Sequence, residues 1–226
     1  MSIRPPWTTP WSAAPLTDGI NVPRVRRTLR APALRDAIEW AARWLSRVAS
    51  PPLVAIAALG QLAISGGGGG NGIGPGWLAA FAVPAVLAPA LAVAALVRAG
   101  RVVDFDLSDR RQRHRPFALA VACAAVTALA LARLSAPPAL VQFGTAWTAL
   151  LGALSLVTLR WKISLHAAAV GAAAGMDLAY GARHVVLWTA LVLSVAIARI
   201  VLGRHSPRQV LAGAALGLAA GWLGGL

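Results

Sequence analysis

Charge is scarce in this chain. Of its 226 residues only 12% are charged, against about 25% in an ordinary soluble domain, while 58% are hydrophobic. That balance excludes a soluble globular fold. It also excludes disorder, which needs low hydrophobicity together with high charge. Cysteine is nearly absent: Cys123, the single one, sits in an apolar run, so there is no disulfide framework. Lysine is nearly absent too, since Lys162 is the only Lys among 21 cationic residues. No signal peptide is legible, because the first apolar stretch begins only near Val48, behind a polar, Arg-rich arm. An organellar transit peptide fits that arm poorly, given its tryptophans and prolines.

What the chain has is long apolar runs. At roughly 20 residues per crossing of a ~30 Å hydrocarbon core, they allow six or seven spans. The expected fold class is therefore all-α, a polytopic membrane helix bundle. Residues 1–33 read as a flexible Arg/Pro/Trp-rich arm, and 34–48 as an amphipathic helix lying in the membrane surface, with Leu34, Ile38, Trp44 and Leu45 set against Arg35, Arg43 and Arg47. The bundle then occupies 49–226. Its spans are expected near 53–65, 77–97, 117–132, 138–160, 163–180, 185–198 and 210–226. The glycine run from Gly66 lacks the Lys-Ser/Thr of a phosphate-cradling loop and reads as a hairpin. Frequent Ala and Gly let helix backbones approach closely in lipid.

Three polar segments interrupt the apolar runs: Arg98–Arg115, Arg160–His166 and Arg199–Gln209. Two spans separate each from the next, so parity places all three on one membrane face, with the N-terminal arm. Nineteen of the 21 cations then share that face, and only Arg133 and Arg183, read as snorkelling at the other interface, do not. The positive-inside rule makes that face cytoplasmic. The basic charge is read against the membrane rather than a nucleic acid.

Two of the four histidines, His166 and His205, lie at the boundary of that face among arginines. Protonatable side chains there are functional candidates, and guanidinium groups beside them suit a phosphate. Ala198-Arg199, five residues, His205, three residues, Gln209 resembles the third motif of the type 2 phosphatidic acid phosphatase superfamily, Ser-Arg-x5-His-x3-Asp. Ile163-Ser164-Leu165-His166 is similar to its second, Pro-Ser-Gly-His. Of its first, Lys-x6-Arg-Pro, Arg115-Pro116 remains, with Ser108 at the Lys position and Arg110 or Arg111 as a substitute. The motifs come in the family's order over about residues 77–226, and the departures look like a divergent bacterial subgroup.

The resemblance implies a lipid phosphate or diphosphate phosphatase of the bacterial cell membrane, acting on an isoprenyl phosphate or a phospholipid phosphate without metal or cofactor. His205 would be the nucleophile that forms a phosphohistidine, and His166 the general acid. Arg199, Ser164, Lys162, Arg110, Arg113 and Arg115 would hold the phosphate. Gln209 stands where the family has Asp: its amide oxygen either orients His205 or completes a capping box with Ser206 and Pro207. Lys162 equally suits the flank of a span. His114 and His184 read as solvated loop residues, and Asp177 as a lone carboxylate near Arg183. A second chemistry is open, because Asp104, Asp106 and Asp109 form an Asp-x-Asp-x-x-Asp cluster suited to Mg²⁺ in a prenyl or alcohol-phosphate transferase, although no second acidic cluster shares that face. A non-catalytic lipid-binding relative is the third reading. Oligomeric state is not set by the sequence.

Overall fold

The computed structural model describes residues 32–65, 73–107 and 109–225. The arm before Pro32, the glycine run over 66–72 that is expected to form a hairpin, Ser108, Leu226 and the side chain of Arg110 lie outside the described residues.

All regular structure among the described residues is helical. Helix α1 (Pro32–Val48) realises the amphipathic pattern. Leu34, Trp40 and Trp44 are exposed while Ala42 and Ser46 face the bundle. Glu39 pairs with Arg35 and Arg43 one turn away on either side, at 3.3 and 2.8 Å. Pro51 and Pro52 bend the chain by 53° into α2 (Pro51–Ser65). Next come α3 (Pro75–Ala82), a π turn at Val83–Leu87, and α4 (Ala88–Arg98). The π turn has a local cause. Pro84 has no N–H for the carbonyl four residues back and its ring crowds that carbonyl, so the helix widens there. A 3₁₀ turn at Arg110–Arg113 leads into α5 (His114–Arg133), followed by α6 (Pro138–Arg160), α7 (Leu165–Ala179), α8 (Val185–Val201) and α9 (Pro207–Leu223). Helices α2, α3, α6 and α9 each open on Pro, where a missing N–H costs nothing.

Helix α7 is the centre of the bundle, with eleven of its fifteen residues buried. Its sequence, LHAAAVGAAAGMDLA, is nearly all small residues, and α9 lies against it backbone to backbone. A Cβ at Gly217 would strike the Ala168 carbonyl, and one at Gly171 the Ala214 carbonyl. This is the small-residue packing that membrane helices use. Outward faces carry Leu91, Val126, Leu129, Leu156, Val186 and Ile197, all exposed, an apolar girdle that a water-soluble surface does not sustain.

By length and composition, three helical stretches among the described residues can cross a membrane: Pro75–Arg98, Arg111–Arg133 and Pro138–Arg160. The bent α1–α2 pair makes up to four. The remaining helices are 15 to 17 residues long, so the expected count of six or seven spans is not shown. With 15 residues in α2 and α7 and 17 in α8 and α9, they reach roughly 22–26 Å at 1.5 Å per residue. Helix α7 is wrapped by protein rather than by lipid, so its length need not match the bilayer.

Candidate active site

The three polar segments meet at one end of the bundle. Arg113 Nη1 donates to the Ile163 carbonyl at 3.1 Å, Ser164 N to the Gln209 carbonyl at 3.2 Å, and Arg199 Nη1 to Asp106 Oδ2 at 2.7 Å.

The Arg199–His205 spacing has a local structural reason. Helix α8 ends in a Schellman motif: Gly203 adopts φ +65°, its N–H bonds the Ile200 carbonyl at 2.9 Å, and Arg204 N bonds the Arg199 carbonyl at 3.0 Å. The reversal brings His205 N to the same Arg199 carbonyl at 3.3 Å, so the two side chains leave one tight turn. Immediately after, Ser206 caps α9. Its Oγ accepts from Gln209 N at 3.4 Å, and Gln209 Oε1 accepts from Ser206 N at 3.0 Å, a complete capping box.

Of the two roles read for Gln209, the structure shows the capping one. Its amide oxygen serves the helix terminus, and His205 Nδ1, fully buried, has no hydrogen-bond partner. Both His205 and Arg199 are nearly sealed from outside, at 3% and 2% exposure, and Arg199 Nε is a second buried donor without a partner. Burial, then the charges of Arg199, Lys162 and Arg113 and the nearby His166, pull the His205 pKa well below its usual value, so the ring is neutral.

His166 is the second residue of α7, held by the Ser164 N-cap, whose Oγ accepts from Ala167 N at 3.4 Å. His166 Nε2 lies 3.1 Å from the Ser46 carbonyl of α1 and 3.8 Å from Asp106 Oδ1. A carbonyl only accepts, so Nε2 carries the hydrogen in that bond.

A cavity of about 960 Å³, counting its open part, reaches this cluster. Asp106, Arg113, His166, Arg199 and His205 line one end, and the rest is apolar, including Val86, Pro89, Phe117 and Leu154. Of the expected phosphate ligands, Arg199 is there with a spare donor. Arg113 is there as well, but its Nε and Nη1 brace the carbonyls of Leu107 (2.7 Å) and Ile163. Lys162 does not line the cavity. It is half-buried close by, its pKa drawn down to about 8 by burial and then by Arg113, Arg199 and Arg204. Ser164 is fully buried as a helix cap. Arg115 is exposed on α5 and does not line the cavity, contrary to expectation. The Arg110 side chain and Ser108 lie outside the described residues.

The acidic cluster does not assemble into a metal site. Asp104 pairs with Arg204 at 3.3 Å, Asp106 with Arg199, and Asp109 caps the 3₁₀ turn by accepting from Arg111 N at 2.9 Å. Among the described residues no three His, Cys, Asp or Glu side chains are grouped to hold a metal ion.

No family model, curated protein or solved structure matches this chain. The site therefore has to be read from its own chemistry. Two of its members escaped the sequence reading: the Ser46 carbonyl, and Asp106 as the partner of Arg199 and His166. The only signal for Asp106 was a cluster of three carboxylates amid six arginines.

At the opposite end Asp177 is 2% exposed. It accepts from Gln61 Nε2 at 2.9 Å and from the His184 backbone N–H at 3.0 Å, with His184 Nδ1 at 3.2 Å, while Trp188 Nε1 donates to Gln61 Oε1 at 2.8 Å. Its partner is thus His184 rather than Arg183, and His184 is not simply solvated.

Proposed function

We propose that the chain is a membrane-embedded, multi-pass lipid phosphate phosphatase that works through a phosphohistidine on His205. One observation carries the reading. Neutral His205, His166 and a guanidinium with a spare N–H share the polar end of a cavity whose other walls are apolar. Such a cavity suits a phosphate joined to an apolar chain.

The neutral His205 ring attacks phosphorus, a P–N bond forms and the ester P–O bond breaks. His166, entering this step as an imidazolium, gives the leaving oxygen its proton and becomes neutral. Water then attacks the phosphohistidine while His166 takes its proton, the P–N bond breaks and inorganic phosphate leaves. Arg199 and the nearby charge of Lys162 stabilise the negative oxygens throughout. The missing acceptor at His205 Nδ1 removes the charge support that a neighbouring carboxylate gives an imidazolium, so slow turnover is expected.

The test is phosphate release by detergent-purified protein from isoprenyl phosphates, diphosphates and phospholipid phosphates, with and without EDTA. Acid-quenched enzyme should carry the phosphoryl label on His205. The unpartnered His205 Nδ1 favours one other reading, a lipid-phosphate binder without turnover. Binding of these lipids with no release from any of them would select it.

A further inference from the structure

Asp106 sits where a phosphate would sit. Its Oδ2 accepts from Arg199 Nη1 at 2.7 Å, and its Oδ1 lies 3.8 Å from His166 Nε2, so one carboxylate faces both the guanidinium and the imidazole meant for the substrate. It lines the polar end of the cavity together with His205. Burial works to raise its pKa, but Arg199, His166 and Arg204 outweigh burial and hold it below the usual carboxylate range, so it is an anion. Its placement is enforced. The next residue, Leu107, has φ +50°, which an L side chain rarely adopts, and Arg113 Nε clamps the Leu107 carbonyl at 2.7 Å. The loop is braced so that Asp106 reaches Arg199.

We propose that Asp106 is a built-in stand-in for phosphate: it fills the anion seat between Arg199 and His166 when the site is empty, and an incoming phosphate must displace it. This rests on the phosphatase reading above. The carboxylate keeps a buried guanidinium paired between turnovers. It also weakens every anion that competes for the seat, because like charges placed together are costly, and so limits inhibition by released phosphate.

The experiment is binding of inorganic phosphate to full-length protein in detergent, alongside steady-state hydrolysis of a lipid phosphate. Asp106→Asn keeps an oxygen for Arg199 and removes the charge. The expected result is phosphate affinity tighter by about tenfold or more, with KM and the inhibition constant for phosphate falling together. Unchanged phosphate affinity in a protein that still hydrolyses the lipid overturns the proposal and leaves the phosphatase reading standing. A drop in kcat and a shifted pH profile at unchanged KM also overturns it, making Asp106 a positioning residue for His166. Absence of both hydrolysis and phosphate binding in the parent and the variant overturns both readings. Should Asp106→Asn fail to fold, Phe105→Cys in a Cys123→Ser background reports the same motion. Phosphate should change the labelling rate of the thiol beside Asp106, and an unchanged rate at saturating phosphate, with binding shown by a raised Tm, overturns the displacement.

Discussion

The two ends of this bundle each hold a His–Asp pair, and they use it in opposite ways. At the Asp177 end the buried polar atoms are answered: Gln61 and His184 both donate to the carboxylate and Trp188 donates to Gln61, which ties α2, α7 and α8 together. At the Asp106 end four buried polar atoms have no partner: His205 Nδ1, Arg199 Nε, Ser46 Oγ and Thr158 Oγ1. Two of them belong to side chains that line the cavity. A satisfied network specifies packing, whereas unmet hydrogen-bonding capacity beside a cavity is kept for a ligand.

The sharpest way to break that contrast is to delete His205. His205→Ala should lower phosphate release on the order of 10³-fold or more, as removal of a nucleophile does. Its Tm should stay near the parent's, because the ring nitrogen Nδ1 makes no bond to lose. A large fall in Tm with turnover of the folded fraction intact would place His205 with the structural end instead.

Asp177→Ala should do the reverse. Stranding the buried Gln61 donor and taking the acceptor away from His184 should cost about 2–4 kcal/mol, measured by thermal or denaturant unfolding. Turnover of the folded fraction should hold, since Asp177 is not near the cavity.

A pH series separates the ends further. The unfolded chain binds a proton at His205 near the usual 6.5, while the native ring resists it. The native state therefore loses stability as pH falls through 6.5 and below. His205→Ala should flatten that part of the stability profile. Lys162 acts higher up: with its pKa drawn down to about 8, any help that its charge gives to phosphate binding should fade above that pH, and Lys162→Arg should keep it. A KM that stays flat from pH 7 to 9 in the parent would remove Lys162 from the site.

The smallest effect is expected at Gln209. Its side chain completes the α9 capping box, so Gln209→Ala should cost about 0.5–2 kcal/mol and leave turnover of the folded fraction close to normal. A many-fold loss of turnover at unchanged stability would restore Gln209 as the residue that orients His205.

Much of the site was legible because its parts are local. Arg199, Gly203 and His205 belong to one helix terminus, and Ser206, Pro207 and Gln209 to the next helix start, so spacing alone determines their geometry. The gathering of the three polar segments at one end of the bundle followed from the alternation of apolar and polar stretches. The exact span count did not, because apolar length says nothing of whether lipid or protein will surround a helix, and α7 is enclosed by its neighbours.

The rest depended on contacts far apart in the chain. Nothing in residues 104–109 says that Asp106 will meet Arg199, 93 residues later, while Asp104 meets Arg204 and Asp109 merely caps a turn. Arg113 has the composition of a phosphate ligand, yet packing turns it towards two backbone carbonyls. The Ser46 carbonyl reaches His166 only because the α1–α2 bend brings the end of α1 over the start of α7. By itself the sequence determined the helical class, the apolar lengths, the helix termini and the end at which the cations gather, because periodicity, capping and charge act within a few residues. Only the tertiary structure decided which carboxylate faces which guanidinium and which polar atoms stay unanswered, because those choices belong to side chains brought together by packing.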